Sequence, residues 1–206
     1  IPHVKSNTNK TQSEHIRSNG EENEFVFSVG GSYNEQLYIG ATIGFPWINY
    51  YETATYKEHS FEDTIYNLNS FDYQEELSVY GSGVNVKVGA IYRVTDNLKL
   101  GASLHSPTLY NIEETYSTSI TTRFSTESYT ENSNINYFEY ELLTPWKASL
   151  SASAIFNKNI LISGDYEIVD YSSSSMYSDG YSFNNENETI ANLYQRTENI
   201  RIGAEM

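Results

Sequence analysis

Cysteine is absent from all 206 residues, which excludes disulfide staples and thiolate metal sites. No run approaches the ~18 apolar residues that a membrane helix needs, so a helical membrane protein is excluded. Proline is sparse, at 4 residues, and basic residues are few: 12 Lys and Arg stand against 27 Asp and Glu, for a net charge of -15. A phosphate backbone is bound by a basic face, so nucleic acid is not an expected partner. Hydrophobic residues reach only 38%, below the roughly 45–50% of a globular domain. Mean hydropathy is -0.53. Both values suit a barrel strand, of which only alternate residues face lipid.

Tyrosine is what the chain has in quantity, with 19 residues beside 9 Phe. Its ring is apolar and its tip polar, so it gathers where one end is dry and the other wet. No signal peptide is visible at Ile1; an exported protein has already lost it, or the chain is a fragment.

The opening, residues 1–22, is polar without a sustained period and reads as a loop. Alternation then sets in over 24–93, enough for three strands. Phe25, Phe27 and Val29 share one side, and Leu37, Ile39, Ala41, Ile43 and Phe45 oppose Tyr38, Gly40, Thr42 and Gly44. Val84, Val86, Val88, Ala90 and Tyr92 oppose Asn85, Lys87, Gly89 and Arg93. Three more strands fit 97–171. Leu98, Leu100, Ala102 and Leu104 alternate with Lys99, Gly101, Ser103 and His105, and Trp146, Ala148, Leu150, Ala152, Ala154 and Phe156 alternate with Lys147, Ser149, Ser151 and Ser153. Ile160, Ile162, Tyr166 and Ile168 follow against Ser163, Asp165 and Glu167. A long polar stretch, 172–199, precedes the start of a seventh strand at 200–206, with Arg201 and Glu205 on its polar side.

The connections alternate in length. Tyr33–Glu35, Thr95–Asn97 and Asn157–Asn159 are short turns, whereas those near 57–70, 117–136 and 172–199 run to about 14, 20 and 28 residues. Outer-membrane barrels have this asymmetry, with short periplasmic turns and long extracellular loops. Several strands approach ~20 residues, against the ~5–6 usual in soluble proteins, and their aromatics flank an aliphatic middle. The expected fold is all-β, a transmembrane antiparallel β-barrel of the bacterial outer membrane. A soluble β-sandwich adhesin is the rival, because alternation by itself does not say whether the apolar face meets lipid or a second sheet.

The polar faces supply the candidate lumen residues: Lys87, Lys99, His105, Lys147, Asp165, Glu167 and Arg201. Asp165 and Glu167 share a face and are expected to pair with Lys147 on the neighbouring strand. Pro46, Pro107 and Pro145 cannot donate to a ladder, so each marks a kink or bulge in the wall. Gly81-Ser82-Gly83 lies in a strand pattern with no helix after it and reads as a kink, not a phosphate loop. Gly40 and Gly44 have GxxxG spacing, which works only on a helix.

His3, His15, His59 and His105 show no metal-ligand spacing. Asp179, Asn184, Asn185, Glu186, Asn187 and Glu188 fit no EF-hand and read as a solvated outer loop, as do the acids between Glu58 and Glu76. No metal or cofactor is called for, and no nucleophile elbow, zincin helix or catalytic carboxylate pair appears. Nothing in the sequence argues for an enzyme.

Three stretches resemble the FadL/TodX family of outer-membrane transporters: Leu37–Tyr51 (LYIGATIGFPWINYY), Tyr80–Tyr116, which contains LGASLHSP, and Leu143–Ser172 (LTPWKASLSASAIFNKNILISGDYEIVDYS). The resemblance implies a barrel of about fourteen strands carrying long-chain fatty acids and other hydrophobic molecules, of which this chain is about seven strands. The family's N-terminal hatch has no counterpart here, and Met206 is not the terminal aromatic of such barrels. The chain therefore reads as the middle-to-late part of a barrel, whose two open strand edges need further barrel segments or a second copy to cover them. The implied function is passive uptake of a hydrophobic solute with lateral exit through the wall near the three prolines, in contact with outer-membrane lipid and lipopolysaccharide. A same-family barrel serving protein secretion or surface attachment is the alternative.

Overall fold

The alternating segments form antiparallel ladders in the computed structural model, which describes residues 10–59, 68–157 and 159–206. β1 (Thr11–Tyr33) and β2 (Leu37–His59) are joined by a turn in which Asn34 and Glu35 take positive φ, 50° and 53°. Two such residues give the turn whose twist matches the strands of a hairpin. The Gln36 N–H closes it onto the Tyr33 carbonyl at 3.1 Å. β3 (Leu68–Thr95) passes into β4 (Leu98–His105) through a register shift between Arg93 and Thr95. There Thr95 Oγ1 accepts from the N–H groups of Asn97 and Leu98. β5 (Leu109–Phe124), β6 (Ser128–Asn132), β7 (Asn136–Leu143), β8 (Lys147–Phe156) and β9 (Ile160–Asp170) follow. A 3₁₀ turn (Tyr171–Ser173), β10 (Ser175–Tyr177), the helix α1 (Asn184–Leu193) and β11 (Arg196–Glu205) come last.

Among the described residues the pairing order reduces these pieces to seven strand positions. β1 pairs with β2 and β2 with β3, while β3 meets β4 and β5 on its other side. β8 lies next to β4 and β7 next to β5; β9 follows β8, β10 follows β7, and β11 follows β9. So β4 and β5 are one strand broken at 106–108. β6, β7 and β8 are another, broken at 133–135 and 144–146, and β9 and β10 are a third, broken by the 3₁₀ turn.

Several segments expected as connections are strand. Residues 11–22, placed in an opening loop, belong to β1. Most of 117–136 is the β5–β6 hairpin, with Ser119 opposite Asn132 and Arg123 opposite Ser128. The 172–199 stretch holds the 3₁₀ turn, β10 and α1, and the last strand starts at Arg196 instead of Ile200. These stretches lack an apolar face, so hydrophobic period could not report them, yet their backbones still satisfy one another across the ladder. Residues 1–9, 60–67 and 158, with His3, Glu62, Asp63 and Lys158, lie outside the described residues.

The apolar face is uncovered. Leu150 is 61% exposed, Phe27 60% and Ile202 81%, and among the described residues the buried apolar side chains are Tyr110, Ile112, Val169 and Phe183. Among the described residues no second sheet covers Leu150, as is expected of a lipid-facing position and not of a sandwich. Aromatics mark the two ends of the apolar band: Trp47 and Trp146 toward the long connections, Tyr33, Tyr92 and Phe156 beside the short turns, all exposed. Along β8 that band is about ten residues, the length of a tilted strand crossing a bilayer.

The chain sorts into two compact units. One comprises Ile1–Glu22, Ile48–Tyr80 and Glu113–Glu139; the other comprises Asn23–Trp47, Gly81–Ile112 and Tyr140–Met206. In the first, polar cross-strand pairs do the joining. Thr121 and Thr130 hydroxyls meet at 2.9 Å, Glu58 takes Lys10 at 3.3 Å and Tyr56 at 3.1 Å, and Asp72 takes Arg123 at 2.9 Å and Lys57 at 3.7 Å. The second contains the aliphatic band and everything described next.

Candidate functional site

Register on the polar face follows from the period of two. Lys87 stands opposite His105, and His105 opposite Lys147, so three basic side chains occupy neighbouring places in one transverse row. A carboxylate flanks each end. Lys87 Nζ donates to Glu24 Oε2 at 2.5 Å, and Lys147 Nζ lies 3.8 Å from Glu167 Oε2. One same-face step from Glu167 toward the short turns, Asp165 faces Arg201 at 2.8 Å, and Arg201 also reaches Glu167 at 3.2 Å. Asn199 Nδ2 completes the Glu167 shell at 3.1 Å. Six of the seven polar candidates therefore share one connected patch. Lys99 sits apart, opposite Arg93 and Ser153 near the β3–β4 turn.

Between that row and the turns the polar face carries small residues. A cavity of about 840 Å³ opens there, floored by Gly40, Gly89, Gly101 and Ser151 and bounded by Lys87 and His105. That size falls within the range of small-molecule pockets. A second concavity of about 430 Å³ lies beside it, bounded by Lys99, Asp165 and Arg201. Small side chains leave the room, and the ionic row sets the cavity's polar border.

Immediately beyond His105 the wall is broken. Pro107 has no N–H to offer, and the ladder gives way at 106–108. Pro145 does the same in the adjacent position at 144–146, and the next position over carries the 3₁₀ turn. The freed donors are met locally. The Thr108 N–H donates to Thr144 Oγ1 at 2.8 Å, the Thr144 N–H to the Thr108 carbonyl at 3.0 Å, and the Val86 N–H to Ser106 Oγ at 2.9 Å. The break at 106–108 also exchanges faces: His105 shares the polar face with Lys87, whereas after it Tyr110 does, since a Cβ on Gly83 would press on the Tyr110 ring. Pro46, by contrast, lies buried within the unbroken β2.

Sequence reasoning missed Glu24, Asn85, Thr108, Thr144 and the 170–174 turn as site members. Asn85 is buried at 7% exposure and donates to Glu24 Oε1 at 2.8 Å and Thr108 Oγ1 at 3.3 Å. A signal was present: Glu24 is an acid at the head of an alternating run, on the parity that faces Lys87. In the last long connection Asn187 holds both the N–H and the carbonyl of Met176, at 2.8 and 2.9 Å, and Phe183 packs against the Tyr140 and Tyr181 rings. That connection is a folded cap, not a free loop. Among the described residues no group of three or more His, Asp or Glu side chains is placed to hold a metal ion.

Solved structures place this architecture. The chain is similar to the CymD monoaromatic hydrocarbon channel, with a TM-score of 0.58 and 14% identity over 94% of this chain and 58% of that one. It therefore spans somewhat over half of that channel's length, and the likeness is one of fold. Similarity to the RagAB peptide importer in its closed-closed state is slight, with a TM-score of 0.39 and 11% identity over 93% of this chain and 20% of that one. No curated relative matches the chain. The BamG family model matches residues 2–206. With antiparallel strands, an uncovered apolar band and short turns alternating with long connections, this all-β barrel chain of the bacterial outer membrane belongs to the BamG family.

Proposed function

We propose that the chain builds part of the wall of an outer-membrane passage that admits hydrophobic small molecules, of the long-chain fatty-acid type, and releases them sideways into the bilayer. The observation that carries this is the pairing of the Gly- and Ser-floored cavity with adjacent wall breaks at Pro107 and Pro145, the first of which begins directly after its His105 border. An apolar solute gains by leaving water for lipid, and a wall whose ladder is already partly replaced by hydroxyl bonds opens there at less cost than an unbroken one. A monoaromatic hydrocarbon channel of the same fold supplies a precedent for the class of solute. Lys87, His105, Lys147, Asp165, Glu167 and Arg201 line the route, and Lys99 stands near its inner end. Among the described residues β1 has only β2 as a neighbour and β11 only β9. Further barrel segments or a second copy cover those edges, and lipid with lipopolysaccharide surrounds the apolar band. No chemical step is assigned.

Deleting the gene is expected to lower fatty-acid uptake, restored by the intact protein and not by Thr108→Cys/Thr144→Cys under oxidising conditions. Uptake unaffected by the deletion overturns the transport reading. Uptake restored equally by the oxidised pair retains transport and removes the lateral exit.

A second reading, an accessory of protein assembly, secretion or surface attachment, draws on different observations: BamG membership over nearly the whole chain, and strands of 23 and 28 residues that continue well past a bilayer crossing. Under it the deletion strands surface proteins in the periplasm while uptake stays intact.

A further inference from the structure

We propose that Glu24, Asn85 and Thr108 form a latch that holds the Pro107 break shut, an inference that rests on the lateral exit proposed above and assigns its control. The Asn85 side chain joins β1 to the break through its single amide nitrogen, donating to Glu24 at 2.8 Å and to Thr108 at 3.3 Å. Thr108 is itself bonded twice to Thr144 in the neighbouring break. One line of hydrogen bonds thus runs from β1 across β3 to both gaps. Lys87 holds the other Glu24 oxygen at 2.5 Å and so fixes the carboxylate that orients Asn85.

Two details mark this as a switchable contact instead of simple bracing. The first is Gly44 on β2. A Cβ there would overlap Glu24 Oε1 and come within 2.8 Å of Asn85 Oδ1, so the bonded arrangement exists because that position has no side chain. The second is Asn85 Oδ1, which is buried and has no donor. Buried acceptors are normally paired. Leaving one orphaned raises the free energy of the shut arrangement and narrows its advantage over any arrangement that hydrates the amide. A strut selected for rigidity alone would satisfy it. The hydroxyl bonds that stand in for part of the ladder at 106–108 can likewise be exchanged for water without unpairing β3 from β4 below.

The test is site-resolved amide hydrogen exchange on the full protein in lipid nanodiscs, for wild type, Asn85→Ala and Gly44→Ala, each first shown to be folded by heat-modifiable gel mobility. Exchange at the Thr108 and Thr144 amides is expected to rise at least tenfold in both variants, with Ala102 and Ala152 unchanged. If Asn85→Ala does not fold, Gly44→Ala, which breaks the latch by overlap without removing a hydrogen-bonding group, decides alone. Wild-type exchange at Thr108 and Thr144 in a folded variant overturns the latch, as does a uniform rise over the whole wall. Entry of N-phenyl-1-naphthylamine into vesicles separates the two proposals. Faster exchange with unchanged entry upholds the latch and overturns the transport reading.

Discussion

The strands of the two units differ in what their faces meet. In the second unit one face of each strand is aliphatic and uncovered, with Leu150, Ile43 and Ile202 exposed, while the other carries Lys87, His105 and Asp165. In the first unit no face is aliphatic throughout: β1 from Thr11 to Glu22 is exposed, Thr121 meets Thr130 by hydroxyl, and the apolar side chains are scattered, such as Ile16 and Ile120, or paired rings, such as Phe124 with Tyr129. Lipid gives the former strands their stability, since a backbone in hydrocarbon must pair fully. The latter are held by the ladder and by isolated charge, hydroxyl and ring contacts. The difference teaches that a barrel strand needs an apolar face only where it crosses the bilayer.

That contrast can be broken in four ways. The largest effect is expected from Leu150→Arg, which puts a cation on the lipid face near the middle of β8 and should cost about 2–4 kcal/mol. Ser128→Arg, in the exposed β6, should stay within about 0.5 kcal/mol. Denaturant unfolding from lipid vesicles measures both, and equal costs would remove the distinction between the units.

Next comes Glu167→Ala. It strips the shared acceptor from Asn199, Arg201 and Lys147, and a bond to a charged group is worth about 1.5–3 kcal/mol. The same unfolding assay reads it. A loss under 0.5 kcal/mol would mean that water replaces the network freely.

A smaller, local effect is expected at Glu58 in the first unit. Burial pushes its carboxyl up, but the bonds from Lys10, Tyr56 and Gln12 outweigh this and hold it below the usual carboxylate range. A group whose folded value is depressed stabilises above its unfolded value, and that stability is lost as pH falls through the folded one. Amide protection around Tyr56 and Gln12 should therefore be flat from about pH 8 to 5 and fall only below about pH 4; Glu58→Gln should remove the step. A step near pH 6.5 would assign the change to a histidine. The smallest effect is Thr121→Ala, which deletes one cross-strand hydroxyl pair and should cost about 0.2–1 kcal/mol. More than that would show the first unit to be more tightly packed than its exposed faces suggest.

Within the second unit most of the fold was legible, because β2, β3, β4, β8 and β9 each carry five or so consecutive matches to a period of two, and lipid demands that match. Lys87, His105, Lys147, Asp165, Glu167 and Arg201 were placed on one face by parity alone. Glu24 and Asn85 escaped because their part depends on cross-strand register, and the 11–22 and 117–132 strands escaped because water on both faces erases the period. Pro107 and Pro145 announced breaks, but not that the two breaks are neighbours.

The sequence by itself determined where the chain is greasy on alternate residues, where it turns, and hence that it crosses a bilayer as strands. Which break lies beside which, and which acid meets which lysine, the tertiary structure alone decided. The reason is physical: side-chain alternation is a property of one strand, whereas register joins residues as distant as Glu24 and Lys87 through backbone pairing that no local pattern encodes.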